Sequence, residues 1–202
     1  MDGSGQQRRG GGPSSSERIM ATAAILLEGF ICDQIGPAAE YVPELALEQV
    51  TQHPYIKELL EVIKRIAQQV YKDKDKELQR WSETLRGFTF SGFSQVAHEI
   101  FSGGITWGKI VTLFCFASKL PQHKFLHVSL APIDVIMDMT LLIIRKLLLP
   151  WIQEQGGWDG LLAKHGETLK WTAGGADTLK WTAGGALAIG MGLLALFGLG
   201  RT

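Results

Sequence analysis

Asparagine is missing from all 202 residues, so the chain has no N-linked glycosylation acceptor. Only two cysteines occur, Cys32 and Cys115, each inside an apolar run. Two such thiols read as buried and reduced rather than as a disulfide framework, which points to the cytosol. Neither sign of charge is in excess, since 20 Lys+Arg balance 20 Asp+Glu. A nucleic-acid partner therefore has no electrostatic support. The opening residues, "MDGSGQQRRGGGPSSSE", lack the apolar stretch of a signal peptide. No segment alternates apolar and polar residues as a half-buried strand would. No nucleophile elbow or paired-acid constellation stands out, so no enzyme is expected. "GGITWGKI" matches G-x-x-x-x-G-K from Gly103 to Lys109. A phosphate loop needs Ser or Thr next, where Ile110 stands, and a strand before it, where "VAHEIF" reads as helix. His123 and His127 are four residues apart with no third ligand in view, so no metal or other cofactor is expected.

What is present is a globular balance, 46% hydrophobic and 20% charged, enough for one domain with tails. Residues 1–15 are rich in Gly, Ser, Arg and Gln and are expected to be disordered. "SSSE" reads as a helix start, with Ser14 and Glu17 at capping-box spacing and Ser16 as an alternative cap. That helix runs to Gly36-Pro37. Residues 37–54 hold Pro37, Pro43 and Pro54 and read as a loop. Residues 55–71 form the most regular amphipathic helix, with Leu59, Ile63, Ile66 and Val70 inside an arc of about 60°. Glu61, Lys64 and Gln68 fall on its far side. A short polar segment, 72–80, is expected next, then two shorter helices through 101. "WGKIVTLFCFASKL" (107–120) is apolar nearly all round, as a helix at the centre of a bundle would be, and is short for a bilayer span. Residues 132–149 open with a proline suited to a first helical position. "PWIQEQGGWDGLLAKHG" adds one or two short helices around Gly156-Gly157. The fold class is all-α, seven or eight helices around one apolar helix, with the bundle over 16–166. "ETLKWTAGGA" and "DTLKWTAGGA" then repeat ten residues, a local duplication within a connector placed at 167–181.

Several segments together resemble the Bcl family of apoptosis regulators. "FSGGITWGKIVTLFCFASKL" is similar to the first homology motif and central helix, "WIQEQGGWDGLL" to the second motif, and "LLEVIKRIAQQV" to the third. "MDGSG…GGGP", "PELAL", "ELQR" and "FASKL" are similar to the pore-forming branch, and "TWGK" to a second such branch. The resemblance spans about residues 1–165. It implies an eight- or nine-helix bundle with a surface groove that receives the third-motif helix of another member. Partners would be other family proteins, docking-helix peptides, a second copy of the chain and membrane lipids. The docking positions would be Leu59, Ile63, Ile66, Ala67, Gln68 and Val70. First-motif residues in the groove would be Gly104, Trp107, Gly108 and Lys109, and second-motif residues Trp151, Gly156, Gly157, Trp158 and Asp159. Where the family carries aspartate in the third motif and arginine in the first, this chain has Gln68 and Lys109. That charge pair is thus absent in its usual form. A pore-forming function at the mitochondrial outer membrane is implied. A pro-survival member that sequesters docking helices, or a non-apoptotic adaptor, are the alternatives.

Residues 182–200 carry no charge. Their seven Leu, Ile and Phe residues favour insertion by roughly 2 to 4 kcal/mol, diluted by six glycines. This reads as a C-terminal anchor over 182–202, with Trp181 at the cytosolic interface, Gly184, Ala188 and Gly192 on one close-packing face, and Leu196 in the apolar body. The bundle would then face the cytosol.

Overall fold

Seven α-helices are present among the described residues of the computed structural model, which are 13–36, 53–85, 89–122 and 133–166. α1 (Ser15–Ile35) starts at Ser14, whose hydroxyl accepts from the Glu17 amide while the Glu17 carboxylate accepts from the Ser14 amide. The reciprocal pair satisfies two otherwise unpaired donors. Ser16, the alternative cap, lies inside the helix and accepts from Gln153 Nε2 at 2.9 Å. The Gly36 amide bonds back to Cys32 O at 3.1 Å and closes the helix where the sequence ends it.

α2 (Pro54–Thr84) is 31 residues long and runs straight through the expected polar break at 72–80. "YKDKDKELQR" holds no Gly or Pro, and most of its residues are good helix formers. Pairs one turn apart support it, Gln69 to Asp73 at 2.7 Å, Lys74 to Glu77 at 3.1 Å and Gln79 to Glu83 at 3.0 Å. Leu78 and Trp81 then resume the buried face. Consequently the two shorter helices expected before residue 101 reduce to one, α3 (Phe90–Phe101), capped by the Thr89 hydroxyl on the Gly92 amide.

α4 (Trp107–Lys119) is the centre of the bundle. Every residue from Ile110 to Ser118 is buried, and it packs on α1, α2, α3 and α5 (Ile133–Ile143). A short 3₁₀ turn carrying Pro121 follows it. α5 continues through a π-helical turn, Ile144–Leu148, into α6 (Leu149–Glu154). This interruption was not expected. Pro150 has no amide hydrogen and its ring crowds the carbonyl four residues back, so a wider turn just before it relieves both problems. α7 (Asp159–His165) follows the Gly156-Gly157 turn.

The N-terminal tail, most of the 37–54 loop, His123, His127, the duplicated connector and the proposed anchor with Trp181, Gly184, Ala188, Gly192 and Leu196 lie outside the described residues. Among the described residues no helix is long and apolar enough to cross a membrane. Cys115 is buried as expected, but Cys32 is only half-buried; both are free thiols.

Candidate functional site

The amphipathic stripe of α2 faces the protein's own core. Leu59, Ile63, Ala67 and Val70 are buried, and Ile66 is half-buried against them. Gln68 lies on the outer side, exposed. α2 is tied along its length to three other helices. Lys64 pairs with Asp33 of α1 at 2.7 Å. The Tyr55 hydroxyl donates to Asp159 at 2.7 Å, and Arg65 donates to the His165 carbonyl at 2.8 Å, both on α7. Farther along, Tyr71 shares a 3.0 Å hydrogen bond with Ser118 of α4, and Lys119 pairs with Asp75 at 2.9 Å. Burial, and then the bond to Asp159, push the Tyr55 hydroxyl well above the usual tyrosine range. Burial raises Tyr71 in the same direction.

The first- and second-motif residues are brought to each other. The Trp107 ring meets Trp151 at 5.1 Å and Trp158 at 5.6 Å between centroids, and Phe114 adjoins Trp158 at 6.4 Å. Trp158 is buried, and its Nε1–H donates to the Ile19 carbonyl of α1 at 3.0 Å. Gly156 and Gly157 both have φ near +80°, at 84° and 75°, a conformation other residues rarely adopt. The turn they make lays Gly157 against Ile19 and aims Trp158 inward. Trp107 and Trp158 are thus core residues, with the partly buried Trp151 packed against them, and together they join α1, α4, α6 and α7.

Lys109 has a local task. Its ammonium donates to the carbonyls of Ser102 at 2.6 Å and Gly104 at 2.9 Å, just past the end of α3. A cation there satisfies open carbonyls and opposes the negative helix end. Among the described residues, Gly108 beside it has only Thr106 Oγ1 within 4 Å of where a Cβ would stand.

A surface cleft of about 320 Å³ opens between the last turns of α2 and α3. Trp81, Leu85 and Val96 give it an apolar wall, with Thr84, Gly92 and Gln95 beside them. Arg80 and Glu99, paired at 3.0 Å and both more than half exposed, lie at its solvent side. None of the residues named from the motifs lines it. The signal for Trp81 was in the sequence: it stands eighteen residues, five helical turns, beyond Ile63, hence on the same face. Reading 72–80 as a break hid that phase.

The chain spans 82% of its own length and 86% of the other's in an alignment with the apoptosis regulator BAX of Bos taurus, at 48% identity. It is 47% identical to human BAX over the same 168 residues. The chain belongs to the Bcl-2 family of apoptosis regulators. The family description "Apoptosis regulator proteins, Bcl-2 family" matches residues 63–158, from Ile63 in the first third of α2 to the motif tryptophan at the α7 start. Within the family the chain is a Bax-like apoptosis regulator. Solved structures share the fold. Chicken BOK aligns at a TM-score of 0.56 and 20% identity over 75% of this chain and 99% of that one. Trichoplax adhaerens trBcl-2L2, bound to trBak BH3, aligns at 0.54 and 19% over 73% and 98%.

Proposed function

We propose that this Bax-like chain permeabilises the mitochondrial outer membrane by releasing α2 from its own core and docking that helix into the groove of another copy or another family member. The observation that carries the reading is the burial of the docking stripe, Leu59, Ile63, Ala67 and Val70, in the resting molecule. A helix whose apolar face is already satisfied internally cannot engage a partner until it leaves. Its ion pairs, Lys64–Asp33 and Lys119–Asp75, are partly exposed and individually weak. They hold the resting arrangement without making release prohibitive. Docking helix and groove are then two faces of one switch, and a partner wins by offering the stripe an equivalent apolar surface.

The chain acts by binding and insertion, without catalysis and without a cofactor. Residues 182–202 anchor it in the membrane, and the bundle stays on the cytosolic side. Dye release from liposomes of outer-membrane composition tests the reading. The full chain, triggered with a docking-helix peptide, is expected to release dye, and the chain lacking 182–202 to stay soluble and inactive. Peptide binding without any release would replace pore formation by capture alone. Equal release by the truncated chain would remove the anchor.

A further inference from the structure

We propose that α2 breaks in two when it is released. Residues 54–71 leave as the docking helix, residues 78–84 stay on α3 and α4, and residues 72–77 unwind between them as a hinge. The proposal rests on the release of α2 and says which part of it moves.

The two ends of α2 are held by different neighbours. Tyr55 and Arg65 are bonded to α7, and Lys64 is paired with Asp33 of α1. The other end is fastened to α3. Arg80 pairs with Glu99 at 3.0 Å. Leu85, which closes α2, lies so near Gly92 that a Cβ there would stand 3.1 Å from Leu85 Cδ2. Trp81 meets Phe116 of α4 edge-on at 6.3 Å between centroids, and Phe116 meets Phe93 of α3 at 5.3 Å. The ties to α1 and α7 can therefore break while those to α3 hold.

Between its ends α2 has little packing to lose. Every residue from Lys72 to Glu77 is exposed, so unwinding them uncovers no buried apolar surface. Their charges alternate in sign, which sets like charges four residues apart at Lys72 and Lys76 and again at Asp73 and Glu77. Such pairs weaken a helix and offset the opposite charges three apart, such as Lys74 and Glu77. The Asp75–Lys119 pair ties the stretch to α4, but it is partly exposed and weak. A stretch this polar owes its helical order to the burial on either side of it. Departure of residues 54–71 removes one of those two supports. The length also suffices, since six residues span about 9 Å as helix and up to about 20 Å unwound.

Two measurements on the full chain, triggered with a docking-helix peptide on liposomes, test the hinge. The first uses nitroxide pairs at exposed sites, Lys57→Cys with Gln95→Cys and Glu83→Cys with Gln95→Cys, on a Cys32→Ser, Cys115→Ala background diluted with unlabelled chain. The 57–95 distance should change by about 10 Å, the difference between the coiled and the unwound hinge, while the 83–95 distance stays as it was. The second places a nickel clip across one turn of the hinge, by Lys72→His with Lys76→His. Nickel at about ten times its Kd for the helical form should slow dye release up to about tenfold relative to the parent chain. The same clip at Gln79→His with Glu83→His should leave the rate unchanged. A change in both distances, or release unaffected by the clip at 72 and 76, overturns the proposal and leaves the release of α2 standing. An unchanged 57–95 distance, with or without dye release, removes the release of α2 and this proposal with it. The clip keeps both native cysteines, so its result decides alone if the labelled background does not fold.

Discussion

Replacing Ile63 by alanine separates the two lives of the α2 stripe. Ile63 is 1% exposed and sits in the core that α4 shares with α1 and α2. Removing three carbons from such a site costs the lost burial plus a cavity, about 2–5 kcal/mol in comparable cores. The middle of that range applies, because Ile63 belongs to one continuous buried core that includes rigid rings such as Phe30, Phe93, Phe114 and Phe116. About 3–4 kcal/mol is therefore expected. For a domain of this size each kcal/mol moves the melting temperature by about 3 °C, so the midpoint should drop by about 10 °C. Ile66 on the same stripe is only half-buried, and its alanine variant should lose about 1–2 kcal/mol, or about 3–6 °C. Thermal and urea unfolding of the full chain by circular dichroism reads both. An Ile63→Ala midpoint within 3 °C of the parent, or a larger loss for Ile66→Ala, would contradict the burial of the stripe. The comparison also bears on docking. Ile63→Ala loosens the resting state and weakens the docked one together, whereas Ile66→Ala spares the fold more. Ile66 is thus the cleaner position at which to test docking, and a charge at Ile63 would report mainly on folding.

Trp158→Phe removes a buried indole and its added hydrogen bond to the Ile19 carbonyl, so it should destabilise by about 1–3 kcal/mol, while the half-buried Trp151→Phe should cost less than about 1 kcal/mol by the same melts. Burial pushes the Cys115 thiol up to about 12 and Cys32 to about 11, so at pH 8 iodoacetamide should label native Cys32 about 100-fold more slowly than a free thiol and leave Cys115 untouched until unfolding. Rapid native labelling of Cys115 would disprove its burial. Tyr55 and Tyr71 are both raised on folding, which favours the protonated forms in the native state. Their contribution is therefore complete below the unfolded value near 10 and is lost as pH climbs above it, with Cys115 adding the same sign from about pH 9. Urea titrations between pH 9 and 11 should show declining stability, and the slope should flatten in the Tyr55→Phe, Tyr71→Phe double variant.

What could be read in the sequence is what short-range physics controls. The Ser14–Glu17 box, the stop at Gly36, the buried central helix at 107–119 and the turn at Gly156-Gly157 each depend on residues within about one turn of each other. The all-α class follows from periodicity alone. The motif residues could be named, yet their work could not. Whether Trp158 lines a groove or fills a core depends on Ile19, 139 positions away, and on Trp107. The continuity of α2 was mistaken locally, because its middle is polar on every side and gives no amphipathic signal. Tertiary structure resolves it: Leu78, near the end of the polar stretch, and Trp81, just beyond it, are drawn to the same core as Ile63, and burying both ends of one rod keeps the middle helical. Lys109 likewise carries a charge whose partner could not be guessed, since the carbonyls it meets exist only once α3 ends beside it. The cleft at Trp81, Gly92 and Val96 is decided later still, by how closely two helices approach, and a close approach is set by the side chains of both rather than by the pattern of either.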